Sequence, residues 1–380
     1  MEALALELGH KLTFQEMFSV LARYLPQFIP ASWLGLYRFP QPLTFGDEGR
    51  PSLYEASVDA ARSASGKIAT SQMALPRDLS AAHPVRLSRE QLVLDQQILS
   101  STRFQGRAPD TPGGTLAATF VASRFKDIGL ESYGGQYEQP FQFTHRSVRA
   151  LWRRDRPFTK VFTEPRNLVG YVRGTARPDP VIVVSAHFDH LGVIRGEVYP
   201  GADDNASGTA ALLSMAAWVH AHPLSATVVF AAFDAEELGL RGSQAFVQSL
   251  PFPKGQLRLD INLDMLSRSD AGRLFVSGVR YHPDLLTPVV EAAARSSAVE
   301  LHAGHDRPML LTGLVDDWTS LSDHGSFHDA GVPFLYFGVE DHDDVHEPSD
   351  TADRADAAFF AGAAETALSA LVEADARLAR

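Results

Sequence analysis

Residues 201–208, GADDNASG, set two aspartates and an asparagine side by side on a turn of small residues, directly before the apolar run TAALLSMAAWV. A turn needs one Asp or Asn. Two adjacent carboxylates repel, and burying them uncompensated is costly. A bound cation would compensate, and four other stretches carry residues that could share it: His187 and Asp189 in AHFD, Glu236 and Glu237 in FDAEE, Asp264 in NLDM and His346 in HEPSDT. Imidazole nitrogen and carboxylate oxygen suit zinc. Two histidines with three carboxylates can hold two ions if one carboxylate bridges. One aspartate of GADDN can take that place while the other bonds the turn or caps the helix. His187 and Asp189 lie two apart on an extended segment and can face the same side. A carboxylate beside a ligating histidine orients its ring and raises its basicity. Adjacent Glu236 and Glu237 allow a division of labour, one binding metal and the other taking a proton from water.

These residues need a frame that brings them together. Apolar runs at 167–174, 180–189, 226–234, 257–266, 273–278 and 332–339 read as strands, several without the alternation of a half-exposed sheet. Helical runs fall between and after them at 206–222, 241–249, 283–298 and 352–378. This order predicts a three-layer α/β/α fold around a mixed, mostly parallel sheet. In such sheets ligands bind outside the carboxyl ends of the strands. The polar residues above fall just there: His187-Phe188-Asp189 after one strand, Asp234 to Glu237 after another, Asp264 after a third, and His346 in the acidic loop after FLYFGV.

The 380-residue chain carries a net charge of −12, which argues against a nucleic-acid partner. It has no cysteine, so disulfides, thiolate ligands and a Cys nucleophile are excluded. No apolar run reads as a membrane span. The start MEALALELGHKLTF lacks a basic segment followed by a long apolar one and does not read as a signal peptide, which points to the cytoplasm. Residues 1–90 read as an extension and partly a linker, with a short amphipathic helix over TFQEMFSVLARYLPQFI and no chemistry; residues 91–380 read as the domain that carries the polar clusters.

The ordered set AHFDHLG, PGADDNASGTAALL, FAAFDAEELGLRGS, NLDM, SDHGSF, AGVPFLYF and HEPSDT resembles the zinc aminopeptidases of peptidase family M28, over residues 91–380. The resemblance implies two zinc ions per chain. It implies that His187 and Asp264 ligate one ion, Glu237 and His346 the other, and that Asp204 bridges them. Glu236 is then the general base and Asp189 the carboxylate behind His187. It further implies peptide substrates with a free N-terminus, one residue removed at a time, and a family habit of export. Asp203 is expected to cap the helix or hold the turn; His190, His324, His328 and His342 are expected to support or pack. Two other functions fit the same fold: a single-zinc glutaminyl cyclase-like acyltransferase, and a relative that binds without catalysis.

Overall fold

The uninterrupted apolar strands are explained by what covers them. In a computed structural model, residues 73–78, 83–146, 159–306 and 317–378 are described; the expected N-terminal helix lies outside them. The strands are β1 (Met73–Ala74), β2 (Glu138–Pro140), β3 (Phe143–Arg146), β4 (Thr159–Phe162), β5 (Arg166–Val172), β6 (Arg177–His187), β7 (Gly192–Ile194), β8 (Glu197–Tyr199), β9 (Ala226–Phe233), β10 (Leu257–Leu263), β11 (Arg273–Ser277), β12 (Glu300–Ala303) and β13 (Phe334–Gly338). The helices are α1 (Arg89–Leu99), α2 (Pro112–Ile128), α3 (Gly208–Ala221), α4 (Arg241–Gln248), α5 (Pro283–Arg295), α6 (His324–Asp329) and α7 (Ala357–Leu378).

Nine strands form one sheet in the order β1-β12-β11-β13-β10-β6-β9-β5-β2. Its centre, β13-β10-β6-β9, is parallel throughout. On one side β5 runs antiparallel to β9 and β2 antiparallel to β5; on the other β11 runs antiparallel to β13. Alternate residues of β9 go to opposite cores: Val228, Phe230 and Ala232 meet the layer of α1, α2, α3, α5 and α7, while Val229, Ala231 and Phe233 meet Phe246 of α4 and Phe327 of α6. Both faces are apolar because both are covered, so the strand shows no period of two. The fold is three-layer α/β/α.

Local signals set the helix ends. Thr111 accepts a bond from the Gly114 N–H, Pro112 opens α2, and Gly129 closes it with φ 90°. The short strands β1, β2 and β12 escape a reading by hydrophobic period because each offers only two to four residues of pattern. β1 pairs with β12, and the backbone N–H groups of Arg86 and Leu87 both reach Glu365 on α7. Described residues ahead of position 91 are therefore stitched into this unit. Among the described residues α7 alone is long and apolar enough to cross a membrane, yet 72% of its most apolar window is buried against the protein, as in a core helix.

Candidate metal centre

The four parallel central strands end at one edge, and each delivers part of the site. His187 is the last residue of β6, Glu236 and Glu237 follow β9, Asp264 follows β10, and His346 stands in the loop after β13. The turn 201–207 enters from the start of α3 and contributes Asp204. Backbone reversals aim these side chains: Ala235, Met265 and His346 have φ of 59°, 57° and 58°. Such left-handed non-glycine residues cost energy and persist where the surroundings hold them.

The side chains form two donor sets joined at Asp204. His187 Nε2 lies 3.4 Å from Asp204 Oδ1 and 3.4 Å from Asp264 Oδ1. His346 Nε2 lies 2.9 Å from the other Asp204 oxygen, Oδ2, and 3.3 Å from Glu237 Oε2. Ligands about 2.0–2.1 Å from a tetrahedral zinc stand roughly 3.3 Å apart, so these separations fit an ion in each set. The Asp264 Oδ1 atom is buried without a hydrogen bond among the described residues, as a donor atom awaiting a cation would be. His187, Asp204 and Asp264 are buried, whereas the His346 side chain is 52% exposed and forms the rim.

The tautomer of His187 follows from its neighbours. Its Nδ1 lies 3.2 Å from the Asp189 carbonyl oxygen, which can only accept, so Nδ1 carries a proton and Nε2 faces the carboxylates. The Asp189 carboxylate lies 3.7 Å from the same nitrogen. Its oxygens accept the backbone N–H groups of Glu236 at 3.0 Å and Glu237 at 3.4 Å. Asp189 thus fixes the glutamate loop as well as backing the ring. His190, expected only to support, comes within the cluster: its Nδ1 donates to Glu237 Oε1 at 2.7 Å and stands 3.7 Å from Asp204 Oδ2. Glu237 is thereby held on one oxygen, leaving Oε2 toward His346.

Charge separates the two glutamates. Burial raises the Glu237 pKa, but bonds from His190 and His346 outweigh it and hold the carboxyl well below its ordinary range. Glu236 has no such bond among the described residues. Burial, with Asp323, Glu237 and Asp264 nearby, pushes its pKa well above the ordinary value against the pull of His187. One carboxylate is locked anionic; the other is poised to hold a proton.

The turn itself is built by residues that give no sequence signal for that role. Asp350 accepts the backbone N–H groups of Asp203 and Asp204. Gly201, with φ 56°, is required, since a Cβ there would lie 2.2 Å from the Asp204 carbonyl oxygen. Asn205 Oδ1 takes the Gly208 N–H, the first of α3, and its Nδ2 donates to the Leu263 carbonyl. Asp203 is therefore not the helix cap. Its carboxylate accepts the Ser267 N–H and hydroxyl and meets His342 Nε2 at 3.1 Å, tying the turn to the segments after β10 and β13. His324 is a packing residue: its Nε2 donates to the Trp318 carbonyl, and burial lowers its pKa to about 3. Tyr336 on β13 is also buried, and burial together with Asp264 and Asp204 raises its pKa well above the ordinary value.

Arg107 lies beneath the turn, fully buried. Its guanidinium donates to the carbonyls of Phe188, Leu99, Pro200 and Gly201. Burial lowers its pKa to about 10 while Asp204, Asp350, Asp189 and Glu237 support the charge. It is a permanent cation facing an acidic site. In sequence it is one arginine in a glycine- and proline-rich loop, like any surface arginine. Arg107→Met keeps most of the volume but strands four buried carbonyls. It should lower stability by at least about 3 kcal/mol, read as a denaturant midpoint shift.

A family model for peptidase family M28 matches residues 167–371, and the chain belongs to that family. The aminopeptidase YwaD of Bacillus subtilis is 32% identical over 185 residues, which are 47% of this chain and 37% of that protein. The chain thus covers little more than a third of that relative's length. Among solved structures, the zinc aminopeptidase BSAP of Bacillus subtilis superposes with a TM-score of 0.57 at 18% identity, covering 77% of this chain and 96% of that one. A glutaminyl cyclase of Porphyromonas gingivalis does so with 0.58 at 18% identity, covering 76% and 99%.

Proposed function

We propose that this chain is a zinc-dependent aminopeptidase that hydrolyses the first peptide bond of substrates with a free N-terminus. The carrying observation is the pair of donor sets that share Asp204, with the unbonded Glu236 beside them. His187, Asp204 and Asp264 would hold one zinc; Asp204, Glu237 and His346 would hold a second. Zinc at these positions supplies Lewis acidity, making water acidic near neutral pH and polarising a carbonyl. Glu236 takes the proton from the attacking water and returns it to the departing amine nitrogen. Asp189 keeps Glu236 in place through its backbone and holds the His187 tautomer. Family membership and the aminopeptidase relatives support this reading, as do zinc metalloproteases among the curated proteins. The presence of both donor sets, and not of one alone, favours two ions over the single zinc of a cyclase-like acyltransferase. We also infer that the catalytic domain begins ahead of position 91, with the strap that carries β1 and Arg86-Leu87.

Elemental analysis with a panel of aminoacyl chromogenic substrates tests this. Two zinc ions per chain are expected, with activity lost on chelation and restored by zinc. One zinc with conversion of N-terminal glutamine peptides to a cyclised product would replace the aminopeptidase reading. The same titration has a pH signature. Without metal, bonds to Asp204 and Glu237 raise the His346 pKa to about 11. For His187, burial opposes the charge, but Asp264, Glu236 and Asp189 hold the ring well above its ordinary value. Both rings are then protonated at neutral pH, and zinc accepts only neutral imidazole, so uptake must displace protons. Zinc affinity should rise between about pH 6 and about pH 8; affinity that falls contradicts the ligand set.

A further inference from the structure

We propose that one face of the β3–β4 ribbon binds a carboxylate of the peptide substrate, carried downstream of the bond being cut. The proposal rests on the peptidase reading and names the substrate class it favours: peptides acidic in the first residues past the cleavage point. Residues 143–160, FTHRSVRALWRRDRPFTK, carry five arginines and one lysine against one aspartate, in a chain whose net charge is −12. A block of like charge gains nothing in folding from its own repulsion and commonly serves an interaction.

Topology sets β3 and β4, which bound this run, beside the site. β2 pairs with β5 up to Pro140 and Arg166. The Arg166 N–H donates at 3.1 Å to Asp234, which follows β9 and precedes the two glutamates. The Phe141 N–H closes the base on the Pro165 carbonyl at 3.0 Å. β3 starts and β4 ends within a few residues of that point, as a separate two-stranded sheet. The ribbon therefore leaves the main sheet at the edge where Glu236 and Glu237 stand.

Its face is built from aromatic rings and cations. Phe143 is directly opposite Phe162, and their rings stack in parallel with centres 4.8 Å apart. Lys160 stands two residues before Phe162, on the same side of β4, and its Nζ lies 3.9 Å from the Phe162 ring centre. Arg241, the first residue of α4, meets Phe143 with Cζ 5.7 Å from the ring centre. Its Nε donates to the Leu238 carbonyl at 3.2 Å, so one side chain spans from the ribbon to the residue after Glu237. Neither cation is paired with a carboxylate among the described residues. Arg241 has the Leu238 carbonyl and Gln244, and the acids at the ribbon base, Glu138 and Glu164, are taken by Arg166. Two unneutralised cations on an aromatic platform suit a carboxylate brought by the substrate. The first substrate residue is engaged by the donor sets and Glu236. Beyond it an extended chain advances about 3.3–3.6 Å per residue, which leaves the following residues free to lie along the ribbon.

Amidated pentapeptides test this on the zinc-loaded protein. They begin with whichever residue the chromogenic panel turns over best and carry Glu, Gln or Lys in third place. kcat/KM should be about 5-fold higher for the Glu peptide than for the Gln peptide, through KM, and lower still for Lys. The preference should vanish in about 1 M salt, where the screening length is about 3 Å. Lys160→Glu should abolish it and raise Lys above Gln; Lys160→Arg should keep it. Each ratio is taken within one variant, so a general loss of activity cancels. Free-acid against amidated tripeptides separate the chain terminus from an acidic side chain as the source of the carboxylate. A preference in either arm supports the assignment. Equal values in both overturn it and leave the peptidase reading standing; sedimentation with phosphatidylserine vesicles would then give the face to a membrane. A preference confined to an acidic first residue overturns it, as does an order unchanged in Lys160→Glu. A wild-type protein that turns over no aminoacyl substrate overturns the peptidase reading and this assignment together.

Discussion

Glu236→Gln should cut kcat by about 10²–10⁴-fold while zinc content stays at the wild-type level. The substitution is nearly isosteric and removes only the ability to take and return a proton. The Glu236 side chain makes no hydrogen bond among the described residues, and the loop is held through its backbone by Asp189 and through Glu237 by His190. Neither anchor depends on the Glu236 carboxylate. The loss should therefore appear in turnover and not in folding or metal binding. Elemental analysis beside steady-state kinetics separates these. Turnover within a few-fold of wild type would remove Glu236 from proton transfer and leave the donor sets standing.

Asp204→Ala should have the largest effect on metal content. One oxygen of Asp204 faces His187 and the other faces His346, so a single truncation opens both donor sets. Zinc binding should weaken by more than the about 10–100-fold that loss of an outer-shell partner costs. The turn should survive, because Asp350 and Asn205 hold it through the backbone and not through the Asp204 side chain. Zinc titration with circular dichroism checks both halves. A variant that keeps two tightly held ions and its fold would show that Asp204 does not bridge.

Much of this site was legible because it sits on strand ends. A long apolar run followed by His187, by Glu236-Glu237 or by Asp264 is a local pattern, and parallel strands carry such ends to a common edge. The supporting residues were not legible in the same way. His190 looked like one more histidine beside the motif, yet its ring fixes the orientation of Glu237. Asp203 had the sequence position of a helix cap, but Asn205 took the first N–H of α3 and Asp203 turned to the Ser267 backbone instead. Nothing in the sequence ranks those two competitors, because each is a short polar side chain before an apolar helix. The strap ahead of α1 was hidden for another reason: its attachment is a two-residue strand and two backbone bonds to Glu365, at separations of 279 and 278 positions.

The layered fold and the residue types available at the sheet edge can be read from contiguous stretches, since apolar periodicity and strand-end chemistry are local properties. How those residues divide is a matter of three-dimensional packing. It set which oxygen of Asp204 meets which histidine, which glutamate is held ionised and which is free to protonate, and that Arg107 reaches the turn from a distant loop. Those outcomes depend on distances and burial between segments far apart in the chain, where electrostatic and hydrogen-bond energies are fixed by neighbours that no local pattern names.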